Sequence, residues 1–295
     1  MRVVFIGTVE FSKQALLKLA ELQVNVVGVV TKAKSDFNAD FANLEEVCQE
    51  KDIPYKLVNN INHPNNVAWI KAQNPDILFC FGWSSLLKSD ILSLAPMGVV
   101  GYHPALLPNN KGRHPIIWAL VLGLEKTGST FFFMDEGADT GDILNQKELK
   151  IAPDDDAGTL YTKLTLLALE QIEEFIPQLQ AENYPKVPQV GEGNAWRKRG
   201  RKDGEIDWRM SSESIRNLVR ALTRPYVGAH FMYKEGECKV WRCAMEDGIV
   251  DKNIEPGKVI GASEAGNLLV KTGDAAIWLT DFDLKEEIEV GEYLI

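Results

Sequence analysis

Short apolar runs alternate with helix-like segments along the first third of the chain, and this alternation constrains the fold most strongly. The apolar runs cover 2–7, 24–30, 76–81 and 97–102, and the helix-like segments lie around 11–22, 40–51, 64–73 and 85–94. Strands buried on both faces read as continuous apolar runs, and helices between them let the strands pair in parallel. The pattern predicts an α/β domain with a Rossmann-like, mostly parallel sheet.

The rest of the chain changes character after one more long helix, predicted from about Asp154 to Leu179. A stretch rich in proline, glycine and charge at 184–204 predicts a linker. A helix at 211–222 is followed by five short strand-like segments separated by glycine turns, at 228–234, 238–243, 257–261, 267–271 and 275–280. We therefore expect an N-terminal domain over 1–183, a linker over 184–204 and a small OB-like β-barrel over 205–295.

Composition narrows the class of protein. The 295 residues suffice for about two domains, and no run of roughly 18 apolar residues predicts a membrane span. The chain enters its first strand at Met1 without a signal-peptide pattern, and its four cysteines form no CxxC pair, so a cytoplasmic protein without a metal site is expected. A net charge of −10 disfavours broad nucleic-acid binding, and no DNA partner is expected.

Two polar residues follow strand-like runs at the positions where ligands bind in α/β sheets. His103 comes after the apolar run at 97–102 and precedes a proline-flanked turn. Asp139 lies in a glycine-flanked turn after the strand-like run at 130–134. Two such strands are expected to present one imidazole and one carboxylate together.

Longer motifs at both ends of the chain give a resemblance that covers nearly all of it. They are MRVVFIGTVEFSKQALLKL at the start, HPALLP, KGRHP and GADTGDIL in the middle, and EIDW, PGKVI and LLVKTGD near the end. In this order they resemble the formyltetrahydrofolate-dependent formyltransferases, the family of methionyl-tRNA formyltransferase and the nucleotide-sugar N-formyltransferases. Within that family, NNINHP, NPDILFCF and APDD are most similar to the formyltransferase half of the bifunctional enzyme that modifies aminoarabinose for lipid A.

The resemblance implies the co-substrate 10-formyltetrahydrofolate and a catalytic triad of asparagine, histidine and aspartate. By this likeness His103 donates a hydrogen bond to the developing oxyanion, and Asp139 orients the ring and accepts the proton of the amine. The asparagine position is Gly101 in this chain. Either a backbone amide, water or substrate approaches the glycine closely, or a side-chain donor comes from nearby loops, the candidates being His114, Ser84, Ser85 and Asn109.

The family also implies where the co-substrate binds, in the segments 81–87 and 136–139. The candidate residues are Trp83, Ser84, Leu86, Gly137 and Ala138. For Trp83, simple core packing is an equal alternative. The start Gly7-Thr8-Val9-Glu10 has no GxGxxG pattern, so a dinucleotide site is not expected.

The amine substrate stays open between two classes. The loop Thr31–Asp40 is short and not basic, unlike the insertion of the tRNA enzymes, which favours a nucleotide-linked amino sugar over initiator tRNA. The basic run 197–202 predicts either a solvated loop or a diphosphate contact. The residues expected to bind the substrate are Asn109, Lys111, Arg113 and His114.

Because the triad asparagine is missing, a third alternative is a folate or nucleotide-sugar binding protein without turnover. A homodimer is one assembly that the sequence leaves open. The two histidines in loop-like contexts, His63 and His230, are expected to be exposed to solvent.

Overall fold

The computed structural model describes residues 1–34, 39–234, 236–283 and 287–294. The chain forms two compact units. Unit 1 consists of Met1–Pro115, Thr127–Lys150 and Thr162–Trp196, and unit 2 of Ile116–Lys126, Ile151–Tyr161 and Arg197–Ile295. The domain division at 184 and 205 stays a prediction.

A seven-stranded sheet has the strand order β3-β2-β1-β4-β5-β7-β8. Its strands are β1 (Arg2–Ile6), β2 (Asn25–Thr31), β3 (Tyr55–Leu57), β4 (Ile77–Cys80), β5 (Val99–His103), β7 (Lys126–Phe133) and β8 (Ile143–Lys150). β1 to β5 pair in parallel, whereas β7 runs antiparallel to β5. The predicted Rossmann-like, mostly parallel sheet is confirmed, with all four predicted strands in place. The strands β3 and β8 were not predicted.

Among the residues that the structure describes, six helices accompany these strands. They are α1 (Glu10–Glu21), α2 (Glu45–Glu50), α3 (Pro64–Ala72), α4 (Ser89–Leu92), α5 (Pro115–Val121) and α6 (Ala157–Gln180). α4 is shorter than the predicted 85–94 because Asn62 holds the chain before it. The side-chain Nδ2 of Asn62 donates to the carbonyl of Leu86 at 2.9 Å, and its Oδ1 accepts from the backbone amide of Lys88 at 2.8 Å. Such side-chain bonds compete with helical ones.

The strand order reverses at β1, which pairs with β2 on one side and with β4 on the other. Ligands bind at such a switch point beyond the carboxyl ends of the strands. The start of α1 is closed here by Ser12, whose hydroxyl accepts from the amides of Thr8 and Val9 at 3.1 Å each and donates to the carbonyl of Phe81 at 2.6 Å. The amides of Thr8 and Val9 are therefore occupied by this hydroxyl.

Aromatic side chains form the centre of the core in unit 1. Phe79 stacks on Phe81 with ring centres 5.2 Å apart, and Phe131 meets the edge of Phe81 at 5.1 Å and Phe175 at 4.8 Å. Phe79, Phe81, Phe131 and Phe175 are fully buried. Large rings in such contact stabilise a sheet and the helix packed on it, so β4, β5 and β7 form a rigid base for the residues at their ends.

Unit 2 contains a five-stranded antiparallel sheet of the small barrel-like kind, as predicted. Its strand order is β10-β11-β14-β13-β12, formed by β10 (Ala229–Tyr233), β11 (Gly236–Met245), β12 (Val259–Ala262), β13 (Leu268–Lys271) and β14 (Ala276–Phe282). The helix α7 (Ser212–Leu222) precedes them and is capped by Ser211, whose side chain accepts from the amide of Ser214.

The segment predicted as a linker contains two short regular elements, β9 (Ala195–Trp196) and a 3-10 helix (Arg201–Gly204). β9 pairs in parallel with the short strand β6 (Lys111–Gly112).

Of the two histidines expected to be exposed, His63 is exposed and caps α3, whereas the expectation for His230 is wrong. His230 lies in β10 and is 4% exposed, and its burial lowers its pKa. Within the described ranges, no helix is both long and apolar enough to cross a bilayer.

Candidate active site

His103 and Asp139 face each other, as their positions after two strands predict. His103 is the last residue of β5 and is almost fully buried, with its Nδ1 3.6 Å from Oδ2 of the half-buried Asp139. Phe133 pairs with Val100 and Thr130 with His103, so β7 ends beside the start of β5. The turn after β7 must therefore double back to bring Asp139 to the imidazole. The sequence predicted the pairing but not this route.

Asp139 is held in an uncommon backbone conformation. Its φ of 58° lies in the left-handed region, which aspartate tolerates better than most residues. Its Oδ2 accepts from the amide of Gly112 at 2.9 Å, and the side chain of Gln189 donates to the carbonyls of Asp139 and Gly141 at 3.0 and 2.8 Å. Three hydrogen bonds thus fix both the backbone and the carboxylate.

The hydrogen bond of the His103 ring indicates which nitrogen carries a proton. Nε2 lies 2.7 Å from the carbonyl oxygen of Asn110. A carbonyl only accepts, so Nε2 is the protonated nitrogen of the neutral ring. Nδ1 then presents its lone pair on the side of Asp139. In this arrangement the ring can accept a proton at Nδ1, and the carboxylate can stabilise the imidazolium that results.

Gly101 lies within β5, between β4 and β7. A neighbouring side chain fills the space beside it. A Cβ at position 101 would lie 2.8 Å from Cγ of Met134, and 3.1 Å from both Sδ of Met134 and Cζ of Phe132. The thioether of Met134 therefore fills the volume that a side chain at position 101 would need. Because a thioether donates no hydrogen bond, Met134 replaces the bulk of an asparagine but not its amide.

The residues predicted to bind the co-substrate lie in two loops. In the loop after β4, Trp83 and Ser84 are half-buried and Leu86 is 68% exposed. In the turn after β7, Gly137 and Ala138 are exposed. Trp83 packs partly against the core, with Nζ of Lys32 5.0 Å from its ring centre. Its indole N–H is buried and has no hydrogen-bond partner among the described residues.

The residues predicted to bind the amine substrate follow β5 in one segment. Asn109 and Arg113 are exposed, whereas Lys111 and His114 are half-buried. The ammonium of Lys111 donates to the carbonyl of Glu192 at 3.1 Å, which leaves this cation facing the segment around residue 192. The structure thus places these four residues on the loop that also carries Asn110, the hydrogen-bond partner of His103.

The cysteines and the other metal-binding residue types add little to this site. The four cysteines are free thiols, and burial raises the pKa of Cys80 at the end of β4 to about 12, so this thiol is not a nucleophile. Within the described part of the chain, no three His, Cys, Asp or Glu side chains form a group that could hold a metal ion.

Sequence reasoning missed three polar residues around the pair, namely Asn110, Gln189 and Asn194. Gln189 and Asn194 lie in the segment predicted as a linker, where asparagine, glutamine and glycine are typical of any loop. No periodicity or motif marks them, because their role depends on long-range contacts.

Both parts of the chain match known protein families. Residues 1–175 match the family described as "Formyl transferase", and residues 199–294 match its C-terminal domain. A methionyl-tRNA formyltransferase from Caldanaerobacter subterraneus subsp. tengcongensis is 31% identical over 303 residues, covering 100% of this chain and 96% of that protein.

Two solved structures share the fold. One is WlaRD, a sugar 3N-formyltransferase determined with dTDP and 5-N-formyl-THF, with a TM-score of 0.71 and 15% identity over 94% of this chain and 96% of that one. The other is methionyl-tRNA formyltransferase from Clostridium thermocellum, with a TM-score of 0.61 and 19% identity over 87% of this chain and 98% of that one.

Proposed function

Because this chain belongs to the formyl transferase family, we propose that it transfers a formyl group from 10-formyltetrahydrofolate to the amine of a nucleotide-linked amino sugar. The observation that carries the proposal is the pair formed by the buried imidazole of His103 and the carboxylate of Asp139, 3.6 Å apart. Formylation of an amine requires a group that removes a proton from the nitrogen.

The two predicted co-substrate loops fit a folate. The unpartnered indole N–H of Trp83 would be satisfied by a carbonyl of the bound ligand, and the exposed side chain of Leu86 offers an apolar surface to a ring. When bound, 10-formyltetrahydrofolate would supply the formyl carbon that the amine attacks. The bond from that carbon to N10 would break, and the proton that His103 takes from the amine would pass to the departing nitrogen. Trp83, Ser84, Leu86, Gly137 and Ala138 are the residues that would hold the folate.

The proton of the attacking amine passes to His103 in this proposal. Asn110 holds the ring by Nε2, so Nδ1 is the free acceptor. As the ring becomes positively charged, Asp139 stabilises it, and the amide of Gly112 keeps the carboxylate oriented. This assignment differs from the roles implied by the family resemblance, in which the histidine is the oxyanion donor and the aspartate accepts the proton.

Negative charge on the formyl oxygen needs a hydrogen-bond donor. The family asparagine is absent, and Met134 cannot donate. We assign this task to a main-chain amide or an ordered water elsewhere in the site, because Met134 fills the space beside Gly101.

The charge distribution in unit 2 favours a small nucleotide-linked substrate over tRNA. Within the basic run 197–202, Arg197 forms a two-pronged ion pair with Asp203, Arg199 donates to the carbonyl of Asp203, and Arg201 pairs with Glu237. The three arginines thus already bind internal acceptors. Binding of tRNA needs several cations directed at phosphates. In this run the carboxylates of Asp203 and Glu237 partly neutralise Arg197 and Arg201, although both arginine side chains are exposed.

The second candidate substrate is initiator methionyl-tRNA, and one observation favours it. The relative from Caldanaerobacter, 31% identical over the full chain, is named a methionyl-tRNA formyltransferase. The loop after β2 that argued against tRNA lies partly outside the described residues, at positions 35–38. Charge pairing within the run 197–202 is therefore the main structural argument for the sugar.

A direct assay tests the proposal. Purified protein is incubated with 10-formyltetrahydrofolate and, in parallel, with nucleotide-linked 3-amino and 4-amino sugars or with charged initiator tRNA, and the formylated products are detected by mass spectrometry. Formylation of at least one amino sugar without formylation of tRNA is expected. Turnover of tRNA alone would establish the second candidate. Tight folate binding without any turnover would instead identify a binding protein, the alternative suggested by Gly101.

A further inference from the structure

The segment 187–196 lies along the loop that follows β5. Val187 exchanges two backbone hydrogen bonds with Ile143, of 2.8 and 3.0 Å. Further along, the amide of Lys111 donates to the carbonyl of Asn194 at 3.0 Å, and that of Arg113 to the carbonyl of Trp196 at 3.1 Å. The segment 187–196 is therefore paired at both of its ends within unit 1, and its middle lies against the loop that follows β5.

Asn194 supports the group that orients His103. Its Oδ1 accepts from the amide of Asn110 at 2.9 Å, and the carbonyl of Asn110 accepts from Nε2 of His103 at 2.7 Å. Asn110 has a φ of 63°, in the left-handed region. A residue in this region is rarely stable without external contacts, and the Asn194 side chain provides one. Asn194 thereby holds the backbone of the residue whose carbonyl determines the tautomer of the imidazole.

Gln189 supports the other member of the pair. Its amide nitrogen donates to the carbonyls of Asp139 and Gly141, so both protons of that nitrogen are used on the turn that carries the carboxylate. Its Oε1 is buried without a hydrogen-bond partner among the described residues. Only the donor end of this side chain is therefore used.

Gly193 allows this close approach. A Cβ at this position would lie 1.9 Å from the carbonyl oxygen of Pro108, and the glycine has a φ of 63°. No L-residue with a side chain fits both conditions. Gly193 therefore lets the segment 187–196 lie in close contact with the loop between His103 and Gly112.

We propose that the side chains of Gln189 and Asn194 are positioning residues that hold Asp139 and His103 in their reactive arrangement. The proposal rests on the proposed function, since it concerns the same pair. It assigns a role in the reaction to a segment that composition alone describes as a linker. The side-chain amide of Gln189 acts as a double hydrogen-bond donor, and that of Asn194 acts as an acceptor.

Two isosteric substitutions give opposite expectations. Asn194→Asp keeps the acceptor oxygen for the amide of Asn110, so kcat should stay within about threefold of wild type, whereas Asn194→Ala should lower it about tenfold or more. Gln189→Glu has the same shape but no donor, and it directs a carboxylate at two carbonyls, so kcat should fall about tenfold or more. The KM for the folate should change little in all three variants.

A second readout is independent of turnover. 15N NMR of histidine-labelled protein reports which ring nitrogen of His103 is protonated, and His103→Gln identifies the signal. Wild type should show a protonated Nε2 in the neutral ring, and Asn194→Ala should show a mixture of the two tautomers. Gln180→Ala, at an exposed position on α6, is the matched control and should change neither kcat nor the tautomer. Thermal unfolding of each variant verifies its fold.

The two readouts separate the two proposals. If no amine is formylated but Asn194→Ala changes the tautomer, the proposed function fails and positioning by Asn194 stands. If wild type is active while Gln189→Glu and Asn194→Ala retain full kcat and the wild-type tautomer, the positioning proposal is overturned and the proposed function stands.

Discussion

Met134 occupies the space that a side chain at position 101 would need, and this single contact decides what restoring an asparagine can achieve. An added Cβ would lie 2.8 Å from Cγ of Met134, so either the thioether or β5 must move. Overpacking of this kind costs about 1–3 kcal/mol. We predict that Gly101→Asn gives a kcat/KM equal to or below that of wild type, measured with the best amino-sugar substrate.

The control is the pair of substitutions Gly101→Asn and Met134→Ala, which vacates the space before the side chain is added. This double variant should be more active than Gly101→Asn alone. An increase of about tenfold or more in the single variant, the effect of one regained oxyanion donor, would mean that the site is decayed and not adapted.

Both members of the pair should be needed for turnover, each for a different reason. His103→Ala removes the proton acceptor and should lower kcat about a hundredfold or more. Because the ring is almost fully buried and bonds the carbonyl of Asn110, some loss of stability is expected as well, so thermal unfolding is measured beside kcat. Asp139→Asn keeps the left-handed turn and an oxygen for the amide of Gly112, but it loses the charge that stabilises the imidazolium. Its kcat should fall comparably and its pH–rate profile should change shape. A profile identical to that of wild type would contradict the role of Asp139.

The sequence identified the candidate catalytic residues, but it did not show how the chain brings them together. His103 and Asp139 could be selected because each follows a strand-like run within a recognisable motif. The folding back of the turn after β7 could not, since it depends on the antiparallel pairing of β7 with β5. Met134 reads as the end of an apolar strand, and only the register places it beside Gly101.

Among the elements, the 3-10 helix Arg201–Gly204 depends on one carboxylate. Asp203 accepts from the guanidinium of Arg197 and from the amide of Gly200 at 2.7 Å, and these bonds hold the pKa of the carboxyl well below its usual range. A lowered folded-state pKa stabilises the fold above the unfolded value of about 3.9, and this stabilisation is lost as the pH falls.

We therefore predict that Asp203→Asn destabilises the protein by about 1 kcal/mol at pH 7 and by much less at pH 2. Calorimetry at both pH values measures the difference. Asp207→Asn is the control, because Asp207 pairs with Arg209 in a more exposed site, where its side chain is 45% accessible. Its effect should be smaller, as solvent screens the pair. Equal destabilisation of Asp203→Asn at both pH values would rule out the ionic origin of the effect.

The elements that the sequence predicted well are those whose burial is uniform. β1, β4 and β5 are almost fully buried and read as apolar runs. β8 was missed because only one of its residues is buried, half-buried and exposed positions alternate along the rest, and most of its later residues are polar. The pairing of β9 with β6 is only two residues long, too short to leave any periodic signal.

For the whole molecule, the charge balance bears on the class of substrate. The net charge is −10, and acidic partners within the chain occupy arginines of the only dense basic run in the sequence. The field around such a protein repels a polyanion at long range. A nucleotide-linked sugar presents two phosphates and needs few cations, so a net negative enzyme can bind it through a local site. The formyl transferase fold itself serves both classes of substrate and does not separate them.

Salt dependence separates the two substrate classes. A protein that contacts six to ten tRNA phosphates loses roughly 10³- to 10⁵-fold in affinity between 50 and 200 mM salt, because each neutralised phosphate releases counterions. Two phosphates on a sugar nucleotide release none of a polymer's condensed ions, and their attraction is only screened. We predict that KM for the amino-sugar nucleotide rises by no more than a few-fold over this range, and that initiator tRNA is not formylated at either salt concentration. A steep loss of activity with salt, together with formyl-methionyl-tRNA formed at low salt, would assign the enzyme to tRNA instead.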